Sequence, residues 1–216
     1  MSSHRAIGMP TGHSRSMDAD TSWTRDEPIR SPFARPRGLV GRLAGRFMAA
    51  TNGRSSREVA AALPLKDGDT VLEVGYGPGV LLAALRDRPE RPVLVGVDPS
   101  AEMAEAAGRR VPEAEVRLGT ADATGLPDAS VDHAVSLNTV AIWPDLDAGL
   151  DELCRVVRPG GTVTLAWHGA HARSRISRSL ALTEEQLRRI GHGLAARCAS
   201  VERAELTDVV VHRAVR

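Results

Sequence analysis

Val71-Leu72-Glu73-Val74-Gly75-Tyr76-Gly77-Pro78-Gly79 decides how this chain reads. A short apolar stretch carries one acid and then meets three glycines within five residues. From Val80 the apolar residues recur at helical spacing. Backbone without a β-carbon lets a ligand approach closely, and the N-terminus of the following helix offers free N–H groups. Strand, glycine turn and helix in that order predict a nucleotide-type binding turn.

Outward from this turn, strands and helices alternate. The pattern predicts strand Thr70–Val74, helix Val80–Arg86, strand Val93–Val97 and helix Ala101–Arg110. Strand Glu115–Leu118, a polar loop and strand Val131–Leu137 follow. A helix over Leu146–Val157 ends at Arg158-Pro159-Gly160-Gly161, before strand Thr162–Trp167. Thr183 and Gln186 form a capping box for a helix running to about Ala199, and Val201–Val215 reads as one or two strands around Val209-Val210-Val211. Near-continuous apolar strands alternating with helices predict an α/β fold, a doubly wound and mostly parallel sheet covered on both faces.

The flanks differ. Residues 1–36 are rich in Ser, Arg, Pro and Gly and predict a disordered or loosely docked arm. Residues 37–64 read as two N-terminal cap helices. Leu39, Val40, Leu43, Phe47 and Met48 mark the first; Val59, Ala60 and Leu63, before Pro64, mark the second. Residues 65–216 form the main domain. A net charge of +1 excludes a global field for nucleic acid, and of the 28 basic residues all but Lys66 are arginine. Cys154 and Cys198 lack paired spacing, so inert buried thiols are expected rather than a disulfide. No apolar run reaches membrane length and no signal-type segment opens the chain, so a soluble cytoplasmic protein without membrane insertion is expected, monomeric or homodimeric.

The dinucleotide fingerprint requires G-x-G-x-x-G or A. Here Val80 holds the third place and the extra glycine, Gly79, comes one residue early; no G-K-S/T is present for a P-loop. Asp98 ends the second strand, where a carboxylate can accept both ribose hydroxyls of a nucleoside. The arrangement E-x-G-x-G-x-G resembles motif I of class I S-adenosylmethionine-dependent methyltransferases. Further segments are similar to that family: Gly119–Pro127, like its G-D-A-x-x-L-P stretch with Asp122 in the acidic place; Asn138 with Trp143-Pro144-Asp145; and Leu153–Gly161, like its L-x-R-V-L-x-P-G-G turn. The resemblance covers about residues 65–167. It implies a Rossmann-like, seven-stranded methyltransferase fold and S-adenosyl-L-methionine as cofactor, with S-adenosyl-L-homocysteine as product. The residues implied to hold the donor are Glu73, Gly75, Tyr76, Gly77, Gly79, Asp98, Pro99, Met103, Ala121, Asp122 and Asn138. Met103 fits equally a contact to the base or a core position.

Methyl transfer from a sulfonium needs alignment more than acid–base power. Weak candidates for acceptor-side chemistry are His168 and His171, just past the fifth strand, and the Tyr76 hydroxyl. His133, within a strand, reads as a packing residue. Trp143 reads as pocket lining or core, and the Arg173–Arg178 run as a solvated basic loop. Asp145 and Asp147 read as helix N-terminal acids, so no metal is expected. No N/D-P-P-Y/F follows the fourth strand and no Pro-Cys pair occurs, which leaves a small-molecule acceptor, at O, N or C, with no nucleic-acid partner. The alternative is a catalytically silent donor-binding partner protein, suggested by a segment between the fifth and last strands shorter than the family resemblance implies and by Leu206-Thr207-Asp208 leaving little room for a final hairpin.

Overall fold

Strand β1 (Thr70–Val74) has apolar side chains on both faces, and almost all of it is buried. That is the signature of a strand covered twice. The computed structural model, which describes residues 22–24 and 53–216, places β1 between β2 and β4 inside a seven-stranded sheet of order β3-β2-β1-β4-β5-β7-β6. The other strands are β2 (Val93–Asp98), β3 (Glu115–Leu118), β4 (Val131–Leu137), β5 (Val157–His168), β6 (Ser200–Glu205) and β7 (Val209–Val215). Strands β1 to β5 run parallel; β7 is antiparallel to both β5 and β6.

Successive side chains of a strand point to opposite faces, and two apolar layers result. Leu72, Val95, Ala134, Val163 and Leu165 face helices α4 (Leu146–Val156) and α6 (Glu184–Ala195) through Leu150, Leu153, Ile190 and Leu194. Val71, Leu94, Val135, Ala166 and Val211 face the other way. There they meet α1 (53–62), α2 (Val80–Arg86) and α3 (Ala101–Arg110) through Val59, Ala60, Leu82, Leu85 and Ala107. No helix of the described residues is long and apolar enough to cross a membrane.

Most predicted boundaries hold within a residue or two, and the Thr183–Gln186 capping box is present. Three features differ. The stretch after Ser174 is a short helix, α5 (Arg175–Ser179), capped by the Ser174 side chain, rather than a loop. Helix α6 stops at Ala195 rather than near Ala199, and β5 begins at Val157, five residues before the expected Thr162; the Val201–Val215 tail forms two strands, within the one or two expected. Leu206-Thr207-Asp208 gives a tight turn in which the Leu206 N–H donates to the Val209 carbonyl at 2.9 Å. Strands β6 and β7 pair from Ser200↔Val215 to Glu205↔Val210, so the hairpin expected to lack room is complete. Of the segment 1–36, Ser22, Trp23 and Thr24 pack on the domain; the predicted first cap helix lies outside the described residues.

Candidate functional site

The C-terminal ends of β1, β2 and β4 share one edge, and the chain leaves β1 for neighbours on either side. Such a switch point is where open α/β sheets bind ligands. Gly75, Gly77 and Gly79 follow β1 with φ of 76°, 51° and 76°, a backbone region that side chains disfavour. A β-carbon at Gly75 would lie 2.3 Å from Thr139 Cγ2. The turn is pinned by its backbone: the Gly75 N–H donates to the Val97 carbonyl at 2.7 Å, and the Gly79 N–H to the Tyr76 carbonyl at 2.9 Å. Arg110, at the end of α3, donates from Nε to the Pro78 carbonyl at 2.7 Å.

Two buried carboxylates lie beneath the turn. Asp98 accepts the Gly77 N–H on Oδ2 and the Ser100 N–H on Oδ1, each at 2.9 Å. Burial raises its pKa against the lowering by these two donors. Glu73 is 3% exposed. Burial pushes its pKa well up, the Asp98 charge adds to this, and the Leu82 N–H offsets part. Its Oε2 has no hydrogen-bond partner among the described residues, a costly state for a buried oxygen. A carboxyl whose folded pKa lies above its unfolded value supports the fold while protonated. That support is complete below the ordinary value of 4.5 and is lost as pH rises through the raised folded value. Glu73→Gln is therefore expected to raise the ligand-free melting temperature at pH 8 by roughly 2–4 °C per kcal/mol relieved, with little gain at pH 4. Identical melting curves for both proteins across that range would contradict the assignment.

Asn138, just past β4, is the second unsatisfied group. Its φ is 60°, its N–H donates to the Ala166 carbonyl at 2.8 Å, and neither Oδ1 nor Nδ2 has a partner among the described residues. Left-handed backbone on a non-glycine residue and a buried amide without a partner set Asn138 apart from the packed side chains around it. Asp122 stands exposed in the loop after β3, between the buried Ala121 and the Thr120–Ala123 bridge. This loop is fastened from α4: Glu152 accepts the Thr124 N–H at 2.8 Å and its hydroxyl at 2.6 Å, and Arg155 holds the Glu152 pKa down at about 2. Pro99 is exposed at the same edge. Glu152, Arg110 and Thr139 escaped the sequence reading because each acts on a segment far from it in the chain.

Several expected roles change. Tyr76 is 2% exposed, and its hydroxyl donates to the Arg117 carbonyl of β3 at 3.3 Å. The ring lies under the turn in the space left by Gly96, where a β-carbon would come within 2.6 Å of Tyr76 Cδ1. Burial first, then the Asp98 and Glu73 charges, push this hydroxyl's pKa up, and the buried ring packs in the apolar layer beneath the turn. Met103, 2% exposed, sits in the apolar layer with Tyr76, Leu81 and Ala107, the core position of its two readings. Trp143 is likewise core, its ring against Gly149 and its Nε1 donating to Thr139 Oγ1 at 3.3 Å.

The remaining polar candidates are placed as follows. His133 is satisfied by Thr162 Oγ1 and Asp69 at 2.8 and 2.9 Å. Asp145 caps α4 by accepting the Ala148 N–H. Arg173 pairs with Asp208 at 2.9 Å, and Arg178 donates to the Ala172 and Arg173 carbonyls, so these two arginines of the run fasten the segment after β5. His171 bonds the Leu206 carbonyl at 2.7 Å, away from β1 and β4. His168 ends β5, next to the strand that carries Asn138. Burial lowers its pKa to about 4 despite the Asp208 charge, so its imidazole is neutral near pH 7.

A doubly wound sheet with a glycine cradle, two buried acids and a bare amide at its switch point defines a nucleoside-binding α/β protein. The family model described as "Methyltransferase domain" matches residues 72–165. The uncharacterized methyltransferase YdaC of Bacillus subtilis (strain 168) is 34% identical over 125 residues, 57% of this chain and 69% of that protein. Trans-aconitate 2-methyltransferase of Azoarcus sp. (strain BH72) is 39% identical over 113 residues, 52% of this chain but 44% of that protein. A crystal structure of an S-adenosylmethionine-dependent methyltransferase from Aquifex aeolicus shares the fold, with a TM-score of 0.67 at 22% identity, covering 79% of this chain and 95% of that one. The chain belongs to the class I S-adenosylmethionine-dependent methyltransferase family. It is an enzyme, and its cofactor is S-adenosylmethionine. The residues at the switch point fit that group, since a glycine cradle without side chains and the unpartnered Glu73 and Asn138 atoms suit a polar nucleoside.

Proposed function

We propose that this methyltransferase modifies an oxygen, nitrogen or carbon atom of a small molecule, with the donor seated at the β1–β4 switch point. The observation that carries the reading is the unsatisfied Asn138 amide, on a residue that follows β4 at the same sheet edge as the glycine turn after β1. Glu73, Gly75, Gly77 and Gly79 shape the donor cradle. Asp98 and Pro99 flank the ribose, and Ala121, Asp122 and Asn138 the base and its surroundings. The donor supplies a methyl group on a positively charged sulfonium; the chain's own contribution is to hold donor and acceptor in line away from water. Support for a small acceptor comes from the relative named for trans-aconitate and from the missing acceptor motifs of base and glutamine methylation. The silent-partner alternative loses one of its two motives with the complete β6–β7 hairpin.

On the acceptor side, His168 is the group to test. A neutral imidazole beside the strand end of Asn138 can accept a hydrogen bond or a proton from an incoming hydroxyl or amine. His168→Ala is expected to lower kcat about 100-fold if it serves as base, with donor affinity unchanged. An unchanged kcat would remove His168 from the acceptor side. The proposal as a whole is tested by transfer from labelled donor to a panel of phenols, amines and small carboxylic acids, with protein and nucleic acid as controls. Label found only in protein or nucleic acid would overturn it.

A further inference from the structure

Ser22, Trp23 and Thr24 lie on the 3-10 helix (Val140–Ile142) that follows Asn138. Trp23 donates from its backbone N–H to the Trp143 carbonyl at 3.2 Å and from Nε1 to the Val140 carbonyl at 2.7 Å. Thr24 donates from Oγ1 to the Ala141 carbonyl at 2.9 Å. Within the turn the Val140 carbonyl takes the Trp143 N–H at 3.4 Å, and a segment more than a hundred residues away adds donors to the carbonyls of residues 140, 141 and 143 at its end. The segment is itself fastened: Arg189 stacks 5.4 Å from the Trp23 ring centroid, and Gln186 Nε2 donates to the Thr24 carbonyl at 3.4 Å.

The other side of the same turn touches the donor cradle. Trp143 Nε1 donates to Thr139 Oγ1 at 3.3 Å, Ser136 Oγ lies 2.6 Å from that oxygen, and Thr139 Oγ1 donates to the Val74 carbonyl at 3.3 Å. The Thr139 methyl fills the space beside Gly75. A continuous chain of contacts therefore runs from Trp23 through the 3-10 helix to Thr139, the residue after Asn138, and on to the end of β1 and the first glycine.

We propose that Trp23 and Thr24 are positioning residues for the donor site: by capping the carbonyls of residues 140, 141 and 143 they fix the turn that presents the Asn138 amide and holds Thr139 against Gly75. The inference rests on the donor site proposed above. It is a coupling between two places on the molecule, so it acts in both directions: the segment strengthens donor binding, and the donor tightens the segment.

Calorimetry with S-adenosylhomocysteine, paired with thermal melting of each protein, tests this. Trp23→Ala is expected to weaken binding about tenfold, and Trp23→Phe and Thr24→Val, which each remove one side-chain donor, about threefold. A role in stability alone would lower the melting temperature and leave the affinity of the folded protein unchanged. Hydrogen exchange in a peptide spanning residues 22–24 is expected to slow when the ligand is added. Should Trp23→Ala fail to fold, Trp23→Phe and Thr24→Val carry the test. Affinities of the folded variants within twofold of wild type, or exchange at 22–24 indifferent to ligand, would overturn the inference. Asp98→Ala serves as reference. If it too binds normally, the donor-site reading has failed; if it loses binding while the Trp23 and Thr24 variants keep theirs, only the positioning role has.

Discussion

Gly75→Ala is expected to destabilise the protein more than any other single methyl addition at the glycine turn. Two penalties add. The residue sits at φ 76°, where a β-carbon costs about 1–2 kcal/mol. The new carbon would also lie 2.3 Å from Thr139 Cγ2 and 2.8 Å from its Oγ1, and overpacking of this kind costs about 1–3 kcal/mol. Thr139 cannot swing aside without breaking its bonds to Val74, Ser136 and Trp143. A fall in melting temperature of roughly 5–20 °C follows, at 2–4 °C per kcal/mol. Gly125→Ala is the built-in control, because Gly125 has φ 70° with nothing within 4 Å of an added carbon; it bears the backbone penalty alone. Thr139→Ala should recover part of the Gly75→Ala loss by removing two of the clashing atoms. Equal, small effects at Gly75 and Gly125 would show that the Thr139 contact does not constrain the turn.

Asp98→Ala is expected to remove donor binding while leaving a folded domain. The carboxylate does two things at once: it fastens the glycine turn through the Gly77 N–H and the start of α3 through the Ser100 N–H, and it presents its remaining lone pairs at the sheet edge. Losing a charged acceptor for a pair of hydroxyls costs about 1.5–3 kcal/mol, and a loosened turn adds to that. Affinity should fall by at least about 100-fold. Asp98→Asn, which keeps one acceptor oxygen, should fall less. The fold survives because burial raises the Asp98 pKa; alanine there removes a strained charge along with its two hydrogen bonds. Donor affinity within twofold of wild type would place the nucleoside elsewhere.

What the chain discloses in one dimension follows from range. Strand and helix limits were legible because the parallel strands are nearly continuous in apolar residues and the turns carry Gly, Pro or a capping pair. Thr183 with Gln186 is a local device and appears as read, and Asp145, read as a helix N-terminal acid, caps α4 through the Ala148 N–H. The switch-point residues Glu73, Asp98 and Asn138 were legible because each ends a strand, and parallel strands bring their ends together. Side-chain direction was not. Tyr76 turns under the glycine loop because Gly96, on the neighbouring strand, leaves room for its ring, and no local pattern records that pairing. Met103 and Trp143 follow the same rule, as large apolar groups drawn into layers built by distant strands. The clamps at Arg110 and Glu152, and the docking of Trp23, span still longer separations. The final hairpin was underestimated because a three-residue turn closes it with one backbone bond.

The central claim, a methyl-donor site at the β1–β4 switch point, is tested most directly by calorimetry on the wild-type protein with S-adenosylhomocysteine and NAD in the same buffer. Saturable one-to-one binding of S-adenosylhomocysteine, lost in Asp98→Ala, is expected, with no heat of binding for NAD. Binding of NAD with none of S-adenosylhomocysteine would contradict it.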